Sequence, residues 1–191
     1  EKDANKNPTG RRVTTNDYSS ADYYYVNKSS LPKVYGGFNT SLSWKGFDLS
    51  AIFAYSIGGY IYNRDITMIL HNGSLEGRDW STEILKRWTP DNRYTDVPAL
   101  STTSNNWNSA STRFLQNNSY MRLKNLTLSY NLPKQWISKL SLSSVQVYVQ
   151  GDNLFTIHRN QGLDPEQGIT GITYYRYPAM RTISGGINVS F

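Results

Sequence analysis

The sequence predicts an all-β fold, with its strands forming part of the wall of a transmembrane antiparallel β-barrel. Three observations predict it. Apolar and polar residues alternate over five runs, the period of a strand with one apolar side. The connections between the runs are short and long by turns, as in outer-membrane barrels with short periplasmic turns and long outer loops. Most runs also have the ~9–11 residues that a tilted strand needs to cross a bilayer.

Residues 1–33 are polar, rich in Asn, Ser, Thr and Tyr, and read as loop. The first strand is expected over 34–44, with Val34, Phe38, Leu42 and Trp44 opposite Tyr35, Asn39, Ser41 and Ser43. Lys45-Gly46 is a two-residue turn signal. The second strand is expected over 47–62, where Phe47, Leu49, Ala51, Phe53, Tyr55, Ile57 and Ile61 share a face. Residues 63–111 show no sustained alternation and read as a long loop, a length that is uncommon unless functional. A short helix fits 80–88, capped by Asp79 or Ser81 and stopped by Thr89-Pro90.

The third strand is expected over 112–131. Its apolar phase changes between Met121/Leu123 and Leu126/Leu128/Tyr130, and a bulge at Lys124-Asn125 would restore one apolar face. Leu132-Pro133 ends it, and "KQWISKL" reads as a helical turn. The fourth strand covers 143–155, with Val145, Val147 and Val149 against Gln146, Tyr148, Gln150 and Asp152. After the loop 156–180, the fifth strand covers 181–191, "RTISGGINVSF".

Composition narrows the function classes. Of the 191 residues, 38% are hydrophobic and 14% aromatic, led by 15 Tyr, a mix suited to strands that are apolar on one side. The absence of Cys excludes disulfides, thiolate metal sites and Cys nucleophiles. The net charge of +6 comes from scattered Lys and Arg without a patch or a zinc-finger spacing, which argues against nucleic acid. No stretch approaches the ~18 apolar residues of a membrane helix, and "EKDANKNPTGRR" has no apolar core of a signal peptide. No GxSxG, phosphate loop or metal-ligand spacing is present, so no enzyme, cofactor or metal is expected.

Five strands cannot close a barrel, and an open edge is not tolerated in lipid. The chain is therefore expected to be the C-terminal piece of a larger barrel, with 1–33 as an extracellular loop. A soluble β-rich carbohydrate-binding module is the alternative that the alternation alone leaves open.

Five ordered stretches carry a resemblance: "LPKVYGGFNTSLSWKGFDLSAIFAYSIGG", "ILKRWTPDNRYTDVP", "STRFLQNNSYMRLKNLTLSYNLP", "VQVYVQGDNLFTIHRNQGLDPE" and "YPAMRTISGGINVSF". Over about residues 30–191 the chain resembles the C-terminal end of the SusC/RagA family of TonB-dependent outer-membrane transporters. The resemblance implies a 22-stranded barrel, an N-terminal plug and a TonB box, the latter two not found in this sequence. It also implies a Gram-negative outer membrane, a SusD-like surface lipoprotein as partner, energy delivered through TonB, and an oligosaccharide or peptide substrate. A siderophore or vitamin receptor is a lesser alternative, against which these motifs speak.

Candidate residues follow. Trp107 and the cluster Tyr174, Tyr175, Arg176 and Tyr177 are loop aromatics and a cation without helical spacing, candidates to contact substrate or the lipoprotein, with plain packing of the loop weighed ahead of it. Trp80, Ile84 and Trp88 are spaced four apart and are expected to pack as a stripe against the barrel or the lipoprotein, with stacking of the tryptophans on sugar rings as the alternative. Arg122, Lys124, Tyr148, Gln150 and Asp152 should face the lumen. Arg122 and Lys124 are expected there as a solvated wall, with salt bridges to plug carboxylates or to anionic substrate as the alternative. His71 and His158 read as solvated loop residues. Asp164-Pro165-Glu166 reads as a turn, with calcium a weaker option. Phe191 should sit in the periplasmic aromatic girdle, beside membrane lipid, and act as the signal read by the barrel-assembly machinery.

Overall fold

The computed structural model of the chain describes residues 15, 17–73, 75–101, 103, 106–160, 162, 164–166 and 168–191, with Leu140 by its backbone alone. Residues 1–14 and 16 of the expected N-terminal loop thus lie outside the described residues. The chain divides into two compact units. One combines the described residues up to Asn27 with Arg64–Phe114, and the other combines Lys28–Asn63 with Leu115–Phe191.

The second unit holds the strands: β1 (Val34–Trp44), β2 (Phe47–Ile57), β3 (Tyr60–Tyr62), β4 (Leu115–Asn117), β5 (Tyr120–Asn131), β6 (Ser144–His158) and β7 (Thr182–Ser190). Five of them form one antiparallel sheet in the order β1-β2-β5-β6-β7, and β3 and β4 form a separate two-stranded ladder. The large sheet is open, since β1 and β7 each pair on one side only. It has the form of a length of barrel wall.

Register explains the alternation. Directly opposed residues of an antiparallel pair lie on the same face. Pairing of Phe38 with Phe53, Leu49 with Leu128, Leu128 with Val149 and Val147 with Ile187 therefore collects the apolar residues of all five strands on one face. The Phe38 and Phe53 rings stack at 4.7 Å on that face. Its aromatics gather toward the strand ends. Phe47 and Tyr130 meet at 4.5 Å near Trp44, whose ring carries the Lys45 ammonium 4.9 Å from its centroid. Phe191 follows β7 at the same end and is 91% exposed.

The Lys45-Gly46 turn has both residues at positive φ, 48° and 88°, as a two-residue hairpin with matching twist requires. A Cβ on Gly46 would also approach the Asn131 carbonyl to 3.1 Å. The phase change in β5 is a bulge: β2 and β6 both pair with Leu123 and Asn125 and skip Lys124. On β6 the same register shift passes over Asn153, at φ 51°, and Leu154.

Three of the expected strands need correction. The run over 47–62 is not one strand. Gly58, at φ +93°, breaks it, and Tyr60–Tyr62 turns away to pair with Leu115–Asn117. The run over 112–131 is divided in the same way. Thr112–Phe114 is a 3-10 turn, and the Ser119 hydroxyl, next to β5, accepts the Gly58 N–H at 3.0 Å. The fourth strand continues to His158 instead of ending at 155, because the bulge lets the pairing with β5 resume.

The first unit contains α1 (Arg64–Ile69) and short 3-10 turns around a small core of Ile84, Val97 and Phe114. The helix expected over 80–88 is a 3-10 turn, Thr82–Lys86, capped by the Ser81 hydroxyl accepting the Glu83 N–H at 3.3 Å. It is too short to carry a helical stripe. Ile84 is buried, while Trp80 and Trp88 stay 43% and 44% exposed. The turn after β5 consists of α2 (Lys134–Ile137) followed by a 3-10 turn, Ser138–Leu140.

Candidate functional site

The polar face of the sheet is organised into two hydrogen-bonded groups. Near the short-turn end, a belt crosses every strand. The Asn188 amide donates to Gln146 at 3.2 Å, the Gln146 amide to Asn131 at 3.1 Å, the Asn131 amide to the Asp48 carboxylate at 2.7 Å, and the Ser43 hydroxyl to the same carboxylate at 2.5 Å. Each amide in such a chain fixes the orientation of the next. Higher on the wall, Asp152 accepts from Asn125 at 2.8 Å and from Gln150 at 3.2 Å. Tyr148 lies on this face too, with its ring over Gly186, where a Cβ would come within 2.7 Å of the phenol oxygen.

At the long-loop end of β5 the polar face carries a charge cluster. The Arg122 side chain is 3% exposed. Its Nε donates to the Thr156 hydroxyl on β6 at 2.9 Å, its second nitrogen to Glu166 at 2.8 Å, and its third to Asp164 at 2.5 Å. Lys124, which the bulge sets beside the cluster, reaches both Glu166 oxygens, at 2.6 and 2.5 Å. Asp164, only 6% exposed, also accepts the Glu166 N–H at 2.9 Å and the Ala179 N–H at 2.7 Å. Pro165 between the two acids is fully buried, and its carbonyl accepts from Asn118 at 2.8 Å.

The expectation of a solvated wall at Arg122 and Lys124 is thus overturned. Their partners among the described residues are acids of the chain's own loop, and Asp164-Pro165-Glu166 is the latch that holds it, buried at Asp164 and Pro165. The carboxylates once weighed for calcium face two cations instead. The spacing carried a usable signal that sequence reasoning passed over: two cations two residues apart on a polar strand face, and two acids two residues apart in the loop that returns over it.

Burial raises the Asp164 pKa, but the N–H of Ala179, the Arg122 guanidinium and the N–H of Glu166 together outweigh it and hold the carboxyl below its ordinary value. A carboxyl depressed in the folded state stabilises fully above the unfolded value and loses that contribution as pH falls through the folded one. The loop should therefore stay docked at neutral pH and loosen only below about pH 4, the unperturbed carboxylate range. Hydrogen exchange of the backbone around Asp164 and Ala179, compared at pH 7 and pH 3 after correction for intrinsic rates, checks this.

The same loop presents the expected contact residues. Tyr174 and Tyr175 are more than half exposed and Tyr177 is 98% exposed, with Tyr175 at φ 40°. Arg176 lines a cleft of about 570 Å³ together with Arg122, His158, Asp164 and Arg181. In this way the latch carries the tyrosine cluster. Trp107 belongs to the other unit and is occupied there. Its Nε1–H donates to the Leu70 carbonyl, the Arg113 guanidinium lies 3.4 Å from its ring centroid, and Phe114 meets it edge-on at 6.4 Å. His71, expected as a solvated loop residue, is buried at 1% exposure. His158 is exposed at the end of β6, with Nδ1 2.9 Å from the Asn160 carbonyl.

No protein-family model matches the chain. Individual relatives do. TonB-dependent receptor P3 of Formosa agariphila is 34% identical over 166 residues, which is 81% of this chain and 16% of the receptor. TonB-dependent receptor SusC of Bacteroides thetaiotaomicron is 27% identical over 168 residues, 87% of this chain and 16% of SusC. Among solved structures, the RagAB peptide importer in its closed-closed state superposes with a TM-score of 0.80 at 35% identity, covering the whole of this chain and 20% of the importer chain. The chain thus spans between a sixth and a fifth of the length of the relatives it matches. The open five-stranded sheet, its single apolar face and these likenesses lead to one family: the chain belongs to the SusC/RagA family of TonB-dependent transporters of the Gram-negative outer membrane.

Proposed function

We propose that the chain forms the C-terminal part of the barrel wall of an outer-membrane nutrient importer that works with a SusD-like lipoprotein. One observation carries the reading. Five strands pool their apolar residues on one face and their hydrogen-bonded polar residues on the other, which suits lipid outside and water or a plug inside. On this reading Arg122, Lys124, Tyr148, Gln150 and Asp152 belong to the lumen side. The short turns lie in the periplasm, and the segments 58–119 and 159–181 lie at the cell surface. Energy arrives from TonB through the plug-bearing N-terminal part of the whole protein. The chain itself contributes no catalysis; the relatives it resembles are receptors and importers.

The substrate is an oligosaccharide or a peptide. Tyr174, Tyr175 and Tyr177, with Arg176 between them, are the wall's exposed candidates for meeting it or the lipoprotein. Aromatic faces beside a cation suit both. The test is uptake by the full-length transporter in a TonB-positive and a TonB-deleted host, with the triple variant Tyr174→Ala/Tyr175→Ala/Tyr177→Ala alongside. The reading expects TonB-dependent uptake, and weakened substrate affinity or lipoprotein capture in the triple variant. Uptake that persists without TonB would refute the importer. Unchanged affinity and capture would remove the tyrosines from the site while leaving the importer standing.

Phe191 closes the apolar face at the periplasmic end. Phe191→Asp is expected to lower the amount of folded barrel in the outer membrane several-fold, read as the heat-modifiable band on a gel. Normal amounts of that band would end its role as an assembly signal.

A further inference from the structure

The cleft beside the latch carries charge that the latch does not use. Strand β6 runs past its neighbour there. Its last pair with β7 is Asp152 with Thr182, yet it continues to His158, so 153–158 has no strand on the β7 side. The segment 176–181 takes that place, and the cleft of about 570 Å³ lies between the two. Two bonds fix the segment. The Asn153 amide donates to the Met180 carbonyl at 3.2 Å, and the Ala179 N–H donates to Asp164 at 2.7 Å.

The charges lining the cleft do not balance. Arg122, Asp164, Arg176 and Arg181 all line it. Asp164 is committed to Arg122, and both side chains of that pair are buried. Arg176 and Arg181 are exposed and enter no ion pair or hydrogen bond among the described residues. The other side-chain carboxylates of the strand-bearing unit, Asp48, Asp152 and Glu166, are each hydrogen-bonded elsewhere. Two guanidiniums thus meet one cleft with no carboxylate left for them.

The same cleft borders the apolar face. Phe155 lines it and is exposed. Phe155 pairs with Leu123, and Leu123 with Phe53, which places all three on that face. Ile157, two residues on, pairs with Met121 on the same face and is exposed as well. One border is therefore apolar and continuous with the surface assigned to lipid, and the other is cationic.

We propose that this cleft holds the phosphate-monoester headgroup of a membrane lipid, with the acyl chains lying on Phe155 and Ile157. A phosphate monoester carries close to two negative charges at neutral pH, and its oxygens match guanidinium forks two at a time. Basic pockets at a membrane surface suit such headgroups. A soluble phosphate shares the chemistry but would leave the apolar border uncovered. The inference rests on the importer reading, because that reading sets the apolar face against lipid and 159–181 at the cell surface. The lipid would then come from the outer leaflet, and it would tie the rim of the wall to that leaflet through the segment the latch holds.

The experiment uses the full-length transporter purified in detergent, with native mass spectrometry reading what stays bound. Three probes share one glycerol backbone. Dioleoyl phosphatidic acid has phosphate and chains, dioleoylglycerol the chains alone, and glycerol 3-phosphate the phosphate alone. Phosphatidic acid is expected to bind at least about tenfold more tightly than either of the others. The double variant Arg176→Gln/Arg181→Gln should weaken it by a similar factor. Arg181→Lys, which keeps the charge and loses the fork, should weaken it less. Lys134→Gln/Lys139→Gln removes two exposed charges at the short-turn end and should change little. Equal binding of dioleoylglycerol would remove the phosphate from the site, and equal binding of glycerol 3-phosphate would make it a site for a soluble anion. Either result, no binding of phosphatidic acid, or an equal loss in the two double variants would overturn the proposal. The probe comparison needs no variant, so it stands even where a substitution disturbs folding. TonB-dependent uptake by the same transporter reports on the importer reading separately, so failure of one is not mistaken for failure of the other.

Discussion

Arg122→Met is expected to release the loop 159–181 from the sheet at a cost of about 3–5 kcal/mol, the usual consequence of stripping one partner from a buried ion pair. The magnitude follows from what remains. Asp164 is 6% exposed and would keep its charge with its guanidinium partner gone and the N–H groups of Ala179 and Glu166 remaining. Glu166 would retain Lys124, so the loop should loosen at Asp164 first. Hydrogen exchange over 164–181, or tryptic cleavage after Arg176, reads the release directly. The double variant Arg122→Met/Asp164→Asn removes both charges and should recover most of the protection. Equal loosening in the single and double variants would show that packing around Pro165, and not charge, holds the loop. Because the tyrosine cluster follows the latch, the single variant should also lose whatever contact Tyr174, Tyr175 and Tyr177 make.

A second large effect is expected from one step along β6. Val149→Arg places a charge on the apolar face near the middle of the sheet, where Val149 pairs with Leu128 and Gly185. An arginine facing the bilayer midplane costs about 2–4 kcal/mol in a membrane barrel. Its neighbour Gln150 lies on the polar face beside Asp152. Gln150→Arg should cost little, since it gains a carboxylate partner in a wet environment. Refolding of the full-length barrel from urea into lipid vesicles measures both. A similar cost for the two substitutions would refute the assignment of faces.

Much of the wall was legible before the structure. Strands with one lipid-facing side must alternate, and the alternation survives in Phe47–Ile57 and Thr182–Ser190 almost residue by residue. The phase change at Lys124 was legible as well, because a bulge is the only way to keep Met121 and Leu128 on one face. The divisions at Gly58 and Asn118-Ser119 were not. Ile61 continues the alternation of β2, so periodicity alone cannot show that the chain has turned toward β4. The latch escaped because its two halves lie about forty residues apart, so the matched spacing of two cations and two acids gains meaning only once the loop is known to return over the strand. His71 escaped for a similar reason. Its burial comes from Trp80 and from backbone donors that have no sequence signature. Trp107 was singled out for its type, and the structure shows its ring engaged by Arg113 and Phe114.

The β3–β4 ladder bears on how the wall assembles. Strands β2 and β5 are neighbours, yet the whole of 58–119 separates them in the chain, so their seam is the slow step that loop-closure entropy predicts. Tyr60–Tyr62 paired with Leu115–Asn117, and α1 against Thr112–Phe114, bring the two ends of that insertion together. With its neck zipped, the insertion presents β2 and β5 to each other almost as the arms of a local hairpin. Lengthening the tip of the insertion, between residues 75 and 101, should then leave the rate of barrel formation nearly unchanged. Breaking the neck with Ile61→Pro should slow it sharply.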